Sequence, residues 1–165
     1  MKSGDIVEEN DTWFRVITNK DHFKNGKLHH AALKGKAISS TEAKAWKAEL
    51  SGRLLSLAGD VFSIKADAER RVNLLRERAK QQGNSGNKFQ FQGVMYQTAK
   101  KIRSFDFMQA DVVFTPTQED KAHADLISYD RDAPFLISIA KEMVGRFKFS
   151  PTHRLQDLMS SSEEF

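Results

Sequence analysis

The chain has 165 residues, 39% hydrophobic and 29% charged, the proportions of one globular domain with one core. Lys and Arg total 26 against 22 Asp and Glu, a net +4 that permits an anionic partner without demanding one. There is no cysteine, which excludes a disulfide scaffold, a zinc–thiolate site, an iron–sulfur cluster and a cysteine nucleophile.

No apolar run approaches the ~20 residues needed to span a bilayer. Residues 1–11 are acidic and lack the apolar segment of a secretion signal. The expectation is a cytoplasmic protein without membrane contact. Residues 1–11 read as a flexible lead-in, 12–149 as one domain, and 150–165 as a partly disordered tail.

Residues 12–18, rich in aromatic and β-branched types, predict a strand. Trp13, Arg15 and Ile17 would share one face, with Phe14 and Val16 on the other. Bulky apolar groups on both faces point to a central position in the sheet. Asn25-Gly26 is a hairpin-turn signal, and a short strand over 28–33 is expected after it.

Ser39 and Glu42 have capping-box spacing. Ala43, Trp46, Leu50, Leu54 and Leu57 then recur every three or four residues, which predicts an amphipathic helix ending at Gly59. Trp46 would anchor its buried stripe. A second helix over 64–82 has the stripe Ile64, Ala68, Val72, Leu75 and Ala79, with Arg70, Arg71, Glu77 and Lys80 on a solvated face. Residues 83–87 are a Gly/Asn/Ser break.

Residues 89–92 alternate as a half-buried strand does, with Gly93 as its stop. A third helix is expected over 94–105. Residues 110–114 and 122–129 predict two strands joined as a hairpin through 115–121. Asp132 and Pro134 suit the start of a last helix with Phe135, Leu136, Ile139 and Met143 inward and Gly145 at its end. The order of elements predicts an α+β domain, a small mixed sheet packed by about four helices.

No Walker A loop, dinucleotide fingerprint, Gly-x-Ser-x-Gly elbow or His-Glu-x-x-His helix is present. No cofactor and no metal are expected. His123 and Asp125, two apart on a strand, share a face. With His153 they would make a two-His-one-carboxylate set, but an exposed strand face is the commoner origin of such a pair. His123 oriented by Asp125 also suits general acid or base chemistry. Arg15, inside an apolar strand, needs a partner. A carboxylate such as Asp111 or Asp125 is the first expectation; a bound phosphate or carboxylate is the second.

Residues 20–36 hold Lys20, Lys24, Lys27, Lys34 and Lys36 against Asp21 alone, with His22, His29, His30 and Phe23 among them. Such a stretch suits a nucleic-acid backbone, although lysine runs are usually just solvated. On a strand, His29 and His30 would face opposite ways. Lys100, Lys101 and Arg103 form a second cluster. Both clusters on one face would favour nucleic acid; divergent clusters would count against it.

Trp13-Phe14-Arg15, Ala31-Ala32-Leu33, Pro116 and Ala122-His123-Ala124 resemble the landmarks of a loose group of small uncharacterised bacterial proteins, over less than half of the chain. The resemblance singles out Arg15 and His123 as residues to follow together and supplies no activity. The first-strand arginine is also similar in position to one in ADP-ribosyl-transfer folds, without their glutamate motif.

Three functional expectations follow. The leading one is a binding or accessory module whose basic face takes an anionic partner, nucleic acid first. The second is an enzyme or sensor for a phosphorylated or nucleotide-like ligand, using Arg15, His123 and Asp125. The third is a protein-binding subunit of a larger complex.

Overall fold

The computed structural model describes residues 1–38, 45–131 and 135–160. Its centre is β1 (Thr12–Asn19), flanked by β6 (Phe89–Thr98) and β5 (Ala48–Leu54). Outward from β5 come β8 (His123–Ser128) and β7 (Ala110–Phe114). Outward from β6 comes β9 (Lys148–Pro151). β4 (Lys36–Ala37) completes a seven-stranded sheet by pairing with β5. Every ladder among the described residues is antiparallel, so the sheet is larger than expected and not mixed. The α+β class stands. The expected 110–114 and 122–129 hairpin is present as β7 and β8.

Trp13, Ile17, Leu33, Leu50, Met95 and Leu126 form the core on one side of the sheet, covered by α3 (Ala99–Arg103) and α4 (Ile137–Val144). Phe14, Ile64, Val94 and Tyr96 form the other, under α1 (Leu55–Ala58), α2 (Val61–Gln81) and α5 (Gln156–Ser160). The two faces of β1 therefore serve two cores, which is why both are apolar. α2 buries Ile64, Ala68, Val72 and Ala79 of the predicted stripe, whereas Leu75 is only half-buried.

Asn25 and Gly26, both at positive φ, turn β2 (Phe23–Lys24) into β3 (Lys27–Leu28). This is the backbone that a two-residue hairpin turn requires. Residues 28–33 do not continue as a strand. His29 caps a 3-10 turn over His30–Leu33, its Nδ1 accepting from Ala31 N at 3.1 Å, and Leu33 is buried beneath α4.

The helix expected before Gly59 is mostly strand. Ala48, Leu50, Gly52 and Leu54 are buried in alternation, and six residues of β5 pair with β8. Leu50 and Leu54 are four apart, a spacing that fits one helix face and one strand face alike. Trp46 is thus no helix anchor; it is half-buried before β5, its Nε1 donating to Glu49 Oε2 at 3.2 Å. The proposed cap Ser39, Glu42 and Ala43 lie outside the described residues, as do Asp132, Pro134 and residues 161–165.

The helix expected over 94–105 is also mostly strand. β6 runs past Gly93 to Thr98, paired on both sides by β1 and β9, and only Ala99–Arg103 is helical. Cores on both faces of the sheet bury Met95 on one side and Val94 and Tyr96 on the other, which erases the period-two signal. The lead-in is tied to β7: Gly4 N donates to Phe114 O, Val7 N donates to Val112 O, and Val7 is buried.

Candidate functional site

The β1–β5 ladder stops early. Trp13 pairs with Leu54 and Phe14 with Arg53, and there the register ends. Farther along the same edge, β5 pairs instead with β4, through Glu49 and Ala48. Between these two ladders, Leu50, Ser51 and Gly52 have no strand partner on that edge. The side chain of Arg15 fills the break. Its Nη1 donates to Ser51 O at 2.6 Å and its Nε to Ala32 O at 3.2 Å.

Arg15 therefore has no carboxylate within ion-pair distance among the described residues. Asp111, the first partner expected, is taken by Arg103 at 2.6 Å. Asp125 acts on Arg15 only at longer range. Burial first, and then the charge of Arg71, pull the Arg15 pKa down to about 10, with Asp125 opposing them. This cation is under-compensated.

Around the break lies a crevice of about 210 Å³, lined by residues of β1 and β5 with His22, Ala32, Arg71, Asp120 and His123. Three arginines meet there against one lining carboxylate. Arg53 comes from β5 and is held by α2 and the β7–β8 loop: Nη2 lies 3.3 Å from Asp67 and Nε donates to Asp120 at 2.9 Å. Its Nη1 is buried without a hydrogen-bond partner among the described residues. Arg71 reaches in from α2, exposed and without an ion pair among the described residues.

His22 closes one wall. Its own burial, then the charges of Arg15 and His29, hold it below the ordinary histidine pKa. His123 also lines the crevice. Its Nδ1 lies 2.8 Å from Thr115 O and 3.0 Å from Thr115 Oγ1. Thr115 Oγ1 donates in turn to Asp125 Oδ2 at 2.9 Å. A carbonyl only accepts, so Nδ1 carries the proton in the neutral ring and Nε2 holds the lone pair. Asp125 Oδ1 lies 3.9 Å from that Nε2. Arg15 and His123 thus line one crevice, while Asp125 is buried behind it.

This arrangement can grip a tetrahedral anion by several N–H groups at once and offers an imidazole for proton transfer. Among the described residues, no three His, Asp or Glu are grouped to hold a metal ion. His153 follows β9, four strands from β8, about 19 Å at the usual strand spacing.

The basic clusters lie apart. Lys20, Lys24, Lys27, Lys34 and Lys36 are exposed, and Lys24 pairs with Asp21 at 3.3 Å. The rings of His29 and His30 pack with centroids 4.1 Å apart, so they do not face opposite ways. Lys20 N bonds Lys88 O at the start of β6, whereas Lys100 N bonds Glu9 O just beyond its end. The length of β6, about 30 Å, separates the clusters. Lys100 and Lys101 are exposed, but Arg103 is spent on Asp111 and Val7 O.

Three of the crevice's basic side chains, two arginines and one histidine, escape the sequence reading. His22 was counted only with the lysine stretch. Arg53 was hidden by the helical reading of its strand. Arg71 looked like one more solvated helix charge. The period-two alternation of Ala48 to Leu54 was the available signal for Arg53. No helix among the described residues is long and apolar enough to cross a membrane. Compared with protein-family models, curated proteins and solved structures, the chain matches none.

Proposed function

We propose that this protein binds a phosphorylated ligand in the crevice at the β1–β5 break and is an enzyme or sensor for it. The observation that carries this reading is the convergence of Arg15, Arg53 and Arg71 with His22 and His123 on one small crevice. Arg53 is already paired with Asp67 and Asp120, but Arg15 and Arg71 have no ion pair among the described residues, and a phosphoryl dianion would offset their repulsion with acceptor oxygens to spare. Arg15 spends two donors on carbonyls, which fix its position without neutralising it. In the enzyme form, Nε2 of His123 exchanges a proton with the ligand, while Thr115 holds the ring. Asp125 is a positioning residue, acting on His123 through Thr115.

Calorimetric titration with inorganic phosphate at low salt tests the reading. Saturable binding is expected, weakened about tenfold or more in Arg71→Gln, because a charge-assisted contact is worth upwards of a kcal/mol. No binding by the wild-type protein, or equal binding by the variant, sinks it.

A second reading, a nucleic-acid backbone, draws support from one feature. The hairpin bearing Lys24 and Lys27 follows directly on His22 in the crevice wall. Affinity for single-stranded RNA or DNA would then fall with salt at a log–log slope of roughly −0.7 per phosphate contacted. A salt-independent affinity, or none, would remove it. Recruitment into a larger complex is the third reading, and exposed Phe62 on α2 is its best support.

A further inference from the structure

The crevice does not end at Arg71. A second, wider groove of about 720 Å³ runs on from it between α2 and the β7–β8 loop. Val16, Arg53, Arg71 and Asp120 line both. The two spaces are therefore contiguous, with Arg53 and Arg71 at their junction.

The groove differs in chemistry from the crevice. Leu57 of α1 is 48% exposed and Leu74 of α2 is 55% exposed, and both line it with Val16 and Ala122. Two large apolar side chains from different helices, left in water and turned to one groove, mark a binding surface more than a solvated face. Four of its charged groups are paired among themselves, Arg70 with Asp67 at 2.7 Å and Arg53 with Asp67 and Asp120, while Arg71, Glu119 and Lys121 have no ion pair among the described residues. Arg70 is thereby held as a flat cation beside the leucines, suited to stacking on an aromatic ring.

We propose that crevice and groove are one site, whose occupant is a phosphate monoester carrying a flat aromatic ring with apolar faces, such as the base of a nucleotide. The phosphoryl group sits among Arg15, Arg53 and Arg71, and the body lies along Val16, Leu57 and Leu74. This rests on the reading of the crevice as a phosphate site and adds what the ester's alcohol must be. A bare phosphate leaves the leucines wet; a sugar phosphate has too little apolar surface to cover them. The size of the groove relative to the crevice points the same way, since most of the ligand's volume lies outside the cationic part.

Calorimetric titration of the full chain with inorganic phosphate, ribose 5-phosphate and adenosine monophosphate tests this. The nucleotide is expected to bind about tenfold or more tighter than ribose 5-phosphate, a difference of about 1.4 kcal/mol. Leu74→Gln and Leu57→Gln, at exposed positions where folding is little at risk, are expected to bring the nucleotide's affinity down to that of ribose 5-phosphate, with inorganic phosphate, which has no body to meet the leucines, as the reference ligand. Equal affinities for the two esters, or an advantage that survives both substitutions, would overturn the proposal while leaving the crevice reading intact. Failure of all three ligands to bind would overturn both.

Discussion

Arg15 donates to the carbonyl of Ser51 across the break between β1 and β5, at 2.6 Å. A side chain there does what the backbone N–H of a neighbouring strand does elsewhere along β5. The sheet gains a satisfied carbonyl, and the crevice gains a fixed cation that no carboxylate neutralises at close range.

That dual role sets a stability cost. Arg15→Gln should destabilise the fold by about 1–3 kcal/mol, because Ser51 O and Ala32 O lose charged donors but water can partly replace them. Denaturant titration measures it. A loss below about 0.5 kcal/mol would mean that the guanidinium is not seated in the break, since surface changes fall within that range.

Gly52 is a second sensitive point. A Cβ there would overlap the indole of Trp13, which is fully buried and donates from Nε1 to Ala124 O at 3.0 Å. Gly52→Ala should cost about 1–3 kcal/mol or more, as overpacking of a rigid ring does. A wild-type midpoint in the variant would contradict this packing.

Much of the fold was legible where one pattern had one meaning. The 21 residues of α2 are long enough for a helical stripe to be unambiguous, and Asn25-Gly26 fixes its turn chemistry locally. The readings failed where a strand is buried on both faces or where four-residue spacing fits both periods. Met95 and Leu50 are examples. The site was legible in part. Arg15 stood out because a charge inside an apolar strand needs explaining, and His123 because of its neighbour Asp125. Arg53 and Arg71 did not, because tertiary packing alone brings an ordinary strand cation and an ordinary helix cation to one crevice.

The depressed pKa of His22 gives a pH dependence with a definite sign. Burial is the main cause, followed by the charges of Arg15 and His29. The unfolded chain therefore binds this proton first as pH falls. The stability tied to neutral His22 is complete above the unfolded-state value of about 6.5 and is lost as pH falls from there through the folded-state pKa. Arg15→Gln removes one repelling charge, so the folded-state pKa of His22 should rise toward its ordinary value. NMR titration of the ring protons reads this directly, and an unchanged or lowered His22 pKa in the variant would contradict it.

The tautomer of His123 is a separate test. With Thr115 O accepting at 2.8 Å, the neutral ring should carry its proton on Nδ1. Long-range proton–nitrogen correlation spectra distinguish the two forms. A proton on Nε2 would remove the lone pair from the nitrogen assigned to proton transfer.

The central claim is that Arg15 holds a phosphoryl group between His22 and His123. The most direct test follows the ring resonances of both histidines by NMR while inorganic phosphate is added at low salt. Both should shift saturably with one shared dissociation constant, and His22 should gain a higher pKa as the bound anion favours its charged form. In Arg15→Gln, checked to be folded, both responses should vanish at the same phosphate concentrations. Histidines that do not move in the wild-type protein, or that move equally in the variant, would contradict it.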